Sequence, residues 1–152
     1  MWECVMDSPV GRLCIQADST GLTALTRTDK PLRVPETALL QEAVRQLRAY
    51  FDGTLTQFDL PVHMAGTAFQ MRCWAALCTI PYGETISYGE QARRIGQPKA
   101  TRAVGGANHR NPICIIVPCH RVIGASGALT GYGEGIDMKE WLLSHERKVM
   151  QK

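Results

Sequence analysis

Along residues 2–28 the apolar positions fall in three short β-prone runs, 2–7, 12–17 and 22–28. Ser8-Pro9-Val10-Gly11 and Asp18-Ser19-Thr20-Gly21 separate them. Both are good turn sequences, so the pattern predicts a hairpin sheet. From Thr37 to Phe51 the period changes. Leu40, Ala43, Val44, Leu47 and Phe51 share one helical face, and Gly53 follows as a stop. Residues 54–65, with Pro61 inside them, read as a connector.

The second half is helix-rich. Thr67-Ala68-Phe69-Gln70 is a capping box that opens a helix to about residue 78. Phe69, Cys73, Ala76, Leu77 and Ile80 line its buried side, and Pro81-Tyr82-Gly83 ends it. Ser87-Tyr88-Gly89-Glu90 is a second capping box, for a helix that stops at Gly96. Gln97-Pro98-Lys99 is a short turn. Residues 100–108 then form a helix of small side chains around Arg102. Helix, short turn and small helix outline a helix-turn-helix. Residues 113–117 read as an apolar, β-branched strand ending at Pro118. Asp137-Met138-Lys139-Glu140 opens a last helix to about residue 149. There are no repeats and no low-complexity segments.

A chain of 152 residues fits one domain or two small ones sharing a surface. The change of pattern predicts an α+β protein divided into residues 1–62 and 63–152. No stretch is long and apolar enough to span a bilayer. The opening Met1-Trp2-Glu3-Cys4 has no basic region and no signal-type apolar run, so a cytoplasmic protein with reduced thiols is expected. The cysteines are Cys4, Cys14, Cys73, Cys78, Cys114 and Cys119. Cys73/Cys78 and Cys114/Cys119 have a spacing that invites a metal. A helix turns the first pair about 140° apart, and a strand sends the second to opposite faces. Cys4, Cys14 and His63 are a weaker zinc candidate against small buried thiols. No metal and no cofactor is expected.

Net charge is only +3, but its distribution is uneven. From Thr85 to Arg121 stand Arg93, Arg94, Lys99, Arg102, Arg110 and Arg121 against the single acid Glu90. That stretch carries +5, which leaves −2 for the rest. A local basic patch fits a polyanion, and a solvated surface explains the charge equally well.

Cys119 follows Pro118 and precedes His120. A free thiol titrates near ~8.5, so at neutral pH it is mostly the weaker nucleophile. A neighbouring base, oriented by a third group, corrects this. His120 suits the base, directly or through a water. On a wheel with Met138 at zero and ~100° per residue, Trp141, Leu142, His145 and Val149 fall within about 60°, and Glu146 near 80°. Glu146 thus sits at the edge of the apolar face, within reach of a buried partner. Spacing alone leaves open an exposed helix-end carboxylate, and a buried thiol beside a chance histidine.

The run Asn111-Pro112-Ile113-Cys114-Ile115-Ile116-Val117-Pro118-Cys119-His120-Arg121-Val122 resembles the active-site signature of the O6-alkylguanine-DNA alkyltransferases. Ile80-Pro81-Tyr82-Gly83-Glu84-Thr85, Ser87-Tyr88, Arg102-Ala103-Val104-Gly105 and Lys139-Glu140-Trp141-Leu142-Leu143 match the same family in the same order. The resemblance covers about residues 66–146, and the first half matches loosely. It implies a small N-terminal ribonuclease-H-like domain packed on a helix-turn-helix domain of winged-helix character.

The resemblance also implies roles. Cys119 would accept the alkyl group from O6-alkylguanine, with O4-alkylthymine as a further substrate, once per molecule. His120 and Glu146 would activate it. Asn111 would hold the hinge before the active-site strand. Tyr88 would contact the damaged base and donate a proton at N3. Arg102 would fill the space left by the flipped nucleotide. Thr101, Ala103, Gly105, Lys99 and Arg110 would contact DNA. Tyr132 and Gly133, in the loop 124–135, would line the alkyl pocket with Val122 and Cys114. Cys114 stands where many members carry proline, and Glu134 where glycine is usual. Both bear on which alkyl groups fit. Relatives that only bind lesions replace the cysteine, which this chain keeps. The partner would be double-stranded DNA carrying the lesion, with no membrane and no obligatory protein partner. A monomer is implied, and cooperative binding along DNA stays open.

These roles suit the chemistry. An alkyl carbon buried in duplex DNA meets no thiolate until its base leaves the stack. A planar cation fills the gap. Small residues at Ala100, Ala103, Gly105, Gly106 and Ala107 permit close approach to a narrow minor groove, or tight helix packing. Two other classes compete. A DNA-binding regulator without chemistry leaves Pro118-Cys119-His120 unexplained. A cysteine hydrolase with a Cys-His-Glu triad leaves the basic stretch and small-sided helix unexplained.

Overall fold

The computed structural model describes residues 1–127, 129 and 132–152. Ala128, Thr130 and Gly131, part of the expected pocket loop, lie outside the described residues. The chain forms two compact units, 1–64 and 65–152.

In the first unit, β1 (Trp2–Met6), β2 (Leu13–Ala17) and β3 (Leu22–Arg27) form an antiparallel sheet in that order. The register pairs Met6 with Leu13 and Leu13 with Arg27, with an irregularity at Gln16/Ala17. α1 (Ala38–Asp52) begins where the Thr37 side chain accepts the Leu40 N–H, and ends at Gly53 in the left-handed region, φ 82°. Leu40, Ala43, Val44 and Leu47 are buried with Leu13, Ile15, Leu22 and Leu25 of the sheet. The connector is less irregular than its sequence suggests. Val62 bridges Leu22 in parallel, and His63 Nδ1 lies 2.6 Å from Asp18 Oδ2, which holds this segment on the first unit. Cys4 and Cys14 are buried thiols on β1 and β2.

The second unit contains α2 (Ala68–Leu77), β4 (Ile86–Ser87), α3 (Tyr88–Arg94) and α4 (Thr101–His109). A single 3-10 turn (Cys119–Arg121), β5 (Val122–Ile123) and α5 (Ile136–Met150) follow. β4 and β5 pair in parallel. Both halves of the Thr67/Gln70 capping box are present. At the second box only Ser87 caps. Glu90 turns outward instead, to Arg93 and Arg94. Gly96 at φ 78° ends the segment before the turn into α4.

Cys73, Ala92, Val104 and Ala107 form the core under α2, α3 and α4. Above it lies a buried polar clamp. Gln91 Nε2 donates to Asn108 Oδ1 (2.9 Å) and Cys73 O (3.1 Å), and Asn108 Nδ2 returns a bond to Gln91 Oε1 (2.7 Å). Trp74 Nε1 donates to Ala107 O at 2.9 Å. Each such bond contributes roughly 1 kcal/mol, and leaving one end bare costs about 1–3 kcal/mol. The small-sided helix is thus fixed in register by polar side chains that periodicity does not flag.

Two further expectations fail. Residues 113–117 do not form a strand: 114–116 are a turn between a bridge residue at Ile113 and a bend at Val117, and Ile115 sits at φ 71° in the left-handed region, which a β-branched residue rarely adopts. Asn111 accounts for it. Its Nδ2 donates to Val117 O (2.8 Å) and its Oδ1 accepts from Ile113 N (3.0 Å), bonds that a strand partner would otherwise supply. The second failure is the inner face of α5. Met138, Lys139, Leu142, Leu143 and Glu146 are buried, whereas Trp141 and His145 are half-buried and stacked on each other. The buried arc therefore spans about 140° centred near Glu146, not near Met138.

Candidate functional site: a buried thiol relay behind a helix-turn-helix

The reversed turn at Ile115 delivers Cys119 to the start of the 3-10 turn, where its N–H donates to Val117 O at 2.9 Å. Its side chain is 8% exposed, and His120 and Glu146 are sealed at 0% and 1%. His120 Nε2 lies 2.7 Å from Glu146 Oε2, and His120 Nδ1 has no hydrogen-bond partner among the described residues. A carboxylate on Nε2 favours the tautomer with the proton there, which leaves the Nδ1 lone pair for a proton. His120 and Glu146 are thus paired, and the buried Cys119 is their neighbour in the same 3-10 turn. Asn111 joins them, hydrogen-bonded to the Cys119 thiol.

The electrostatics follow from burial. Desolvation pushes the Cys119 thiol up to about 11, opposed by the Asn111 bond and the charge of Lys139. Burial likewise lowers His120, against the bond and charge of Glu146. Burial disfavours the Glu146 carboxylate too, but His120 and then Arg121 outweigh it and hold Glu146 well below the usual range. Both shifts favour the uncharged forms of the thiol and the imidazole at neutral pH. A folded His value below the unfolded ~6.5 means stability present above that pH and lost as pH falls. The urea midpoint should therefore drop between about pH 7 and pH 5, with a smaller drop in His120→Gln. An equal drop in both proteins would assign the acid sensitivity elsewhere.

Two site residues escape sequence reasoning. Lys139 is fully buried, donates from Nζ to Val122 O at 2.7 Å and stands 5.8 Å over the Tyr88 ring. Arg121 is buried as well, so it leaves the outward basic patch. Lys139, about 100° from Met138 on the helical wheel, lies outside the predicted inner face of α5, so the pattern gave a signal for neither residue.

The remaining residues divide by surface. Thr101, Arg102 and Ala103 are exposed on the first turn of α4, with Lys99 before it and Arg110 after it. Gly105 is half-buried, and a Cβ there would lie 3.9 Å from the Tyr88 ring. Tyr88, at the start of α3, is half-buried over the core of this unit. Val122, Cys114 and Tyr132 are buried. Gly133 is exposed and lies against α4: a Cβ would come within 3.0 Å of His109 O. Burial raises both Cys114 and Cys119, and the charge of Glu134 adds to it. No group of His, Cys, Asp and Glu among the described residues is placed to hold a metal. No helix among them is long and apolar enough to cross a membrane.

A helix-turn-helix backed by a buried thiol beside a His–Glu pair is the arrangement expected of a DNA-binding protein with a candidate cysteine nucleophile. Residues 1–64 match the family described as 6-O-methylguanine DNA methyltransferase, ribonuclease-like domain, and residues 68–148 match its DNA binding domain. A methylated-DNA--protein-cysteine methyltransferase of Mycobacterium leprae is 55% identical over 148 residues, covering 93% of this chain and 90% of the relative. One from Methanosarcina acetivorans is 50% identical over 153 residues, covering 96% and 98%. The Mycobacterium tuberculosis O6-methylguanine methyltransferase structure superposes with a TM-score of 0.88 at 51% identity, covering 96% of this chain and 92% of that one. A structure of the Mycobacterium tuberculosis protein in complex with DNA gives 0.88 at 53% identity, covering 95% and 92%. The chain belongs to the methylated-DNA--protein-cysteine methyltransferase family.

Proposed function

We propose that this DNA repair methyltransferase takes the alkyl group from O6-alkylguanine in double-stranded DNA onto Cys119, irreversibly and once per molecule. The observation that carries the reading is the buried Cys119 next to the bonded His120–Glu146 pair, in the same unit that exposes Lys99, Thr101, Arg102, Ala103 and Arg110 around its small-sided helix.

Each residue has a part. His120 Nδ1 takes the Cys119 proton, directly or through a water, and Glu146 stabilises the imidazolium that forms. Asn111 donates to the thiolate, and Lys139 supplies a nearby positive charge. The sulfur forms a bond to the alkyl carbon as the carbon–O6 bond breaks. Guanine leaves with a proton at N3 from Tyr88. Arg102 occupies the stack while the nucleotide is out. Val122, Cys114, Tyr132 and Gly133 line the alkyl pocket.

Once-only action follows because no group here displaces a thioether, whereas a hydrolase would cleave its thioester and turn over. Titrating methylated duplex against protein should saturate at one methyl per molecule, with the added methyl on the Cys119 peptide by mass spectrometry. Two or more methyls removed per molecule would exclude the reading.

A further inference from the structure

Arg121 belongs by sequence to a basic, DNA-facing stretch, yet it is buried and spends its whole guanidinium on the protein. Nε donates to Glu146 Oε1 at 2.9 Å and Nη2 to Glu146 Oε2 at 3.1 Å. Nη1 donates to Ile80 O at 2.8 Å, and the group stands 5.5 Å from the Tyr82 ring centre. The Gly83 N–H donates to Glu146 Oε1 at 3.1 Å. A side chain at Gly83, φ 80°, would also strike Met150, so the loop is pinned closely onto α5. Glu146 Oε2 therefore serves His120 and the arginine together, while Oε1 serves the arginine and the loop that runs into β4 and α3.

From this geometry we infer that Arg121 is a positioning residue for transfer. It holds the Glu146 carboxylate so that His120 rests neutral, protonated on Nε2, with Nδ1 ready for the Cys119 proton. The inference rests on the relay reading of the site. Without a cation on both its oxygens, Glu146 would give its full negative charge to His120 and hold it as imidazolium, which accepts no proton. With Arg121 present, carboxylate and guanidinium nearly cancel, and desolvation keeps the ring neutral. The opposing influences of Glu146 and Arg121 on His120 agree with this. The other groups facing the cluster are Lys139 from α5, Cys119 on the same turn, Cys78 at the end of α2 and Tyr82 in the loop. Of these only Lys139 is a cation, and it acts on His120 in the same direction as Arg121. The arginine also ties the relay to the loop leading into the helix-turn-helix, through Ile80 O and the Tyr82 ring.

Nitrogen NMR of the labelled, unmodified protein reads the charge and tautomer of His120 without any substitution. At pH 7 the ring should be neutral with the proton on Nε2. An imidazolium, or a proton on Nδ1, overturns the inference. The second arm is the pH dependence of single-turnover transfer in Arg121→Gln and Arg121→Lys, each checked by thermal melting. In Arg121→Gln the acid limb should move up by about one pH unit, a roughly tenfold loss near pH 6 that closes toward pH 9. Arg121→Lys should restore the limb, even with a lower plateau. A folded Arg121→Gln slowed by one factor at every pH would mean that the arginine only supports the fold. If Arg121→Gln does not fold, the NMR arm decides. A parent protein that transfers no methyl would defeat the function proposed for the family site, and the NMR result would still stand or fall alone.

Discussion

Cys119→Ser is expected to abolish methyl transfer while leaving DNA binding within about twofold of the parent. A serine hydroxyl in this site has no accessible anion, because even the more acidic thiol is pushed up to about 11 by burial. The neutral His120 is matched to a thiol and not to an alcohol. Binding should persist because Cys119 is enclosed and the helix proposed to meet DNA is fixed independently by Gln91, Asn108 and Trp74. The structure also sets the salt dependence. Of the basic residues between Thr85 and Arg121, Arg93 and Arg94 are paired with Glu90, and Arg121 with Glu146. Lys99, Arg102 and Arg110 stay exposed with no ion pair among the described residues. With Arg102 in the stack, Lys99 and Arg110 leave two phosphate contacts from this stretch and a slope of log affinity on log salt near −2, at about −0.9 per contact. Gel shifts at several salt concentrations measure it for both proteins. Binding lost together with transfer in a folded Cys119→Ser, or a slope near −6, would contradict this division between surface cations and buried relay.

The elements most legible in the sequence were those fixed by local chemistry. Thr37, Thr67 and Ser87 cap their helices, Gly53 and Gly96 end theirs, and the two hairpin turns separate the predicted strands. His120 and Glu146 were candidates by order and spacing, given their roles by the family resemblance, and their side chains do meet, at 2.7 Å. What was illegible depends on pairs distant in the chain. Arg121 reads as a surface cation until Glu146, far along the sequence, is seen to enclose it. The wheel of α5 was centred wrongly because Lys139 and Glu146 count as outward residues in any apolar tally, although burial is favoured once both are bonded. Residues 113–117 look like a strand by composition, but one asparagine two residues upstream supplies the bonds for a turn. Each failure lies at the site, where partner bonding overrides local propensity.

Arg102→Ala is expected to slow transfer from duplex DNA on the order of tenfold to a hundredfold and to leave transfer from the free O6-methylguanine base nearly unchanged. Arg102 is exposed on the first turn of α4, beside Thr101 and Ala103, whose small side chains let the helix come close to the groove. A guanidinium reaching from there has the planar shape to stand in for an extruded base. Unstacking costs a few kcal/mol, and each ~1.4 kcal/mol left uncompensated is a factor of ten in rate. The free base needs no extrusion, so it reports on the relay alone. The competing role is a phosphate contact. That role predicts a salt slope flatter by about one unit and full recovery of the duplex rate at saturating protein. Single-turnover rates at saturation on both substrates separate the two. A duplex-specific loss that survives saturation supports the finger. Equal losses on both substrates, or complete rescue on the duplex, would place Arg102 with Lys99 and Arg110 as a phosphate ligand. The work of holding the base out would then fall to the pocket itself, to Tyr88 and Tyr132.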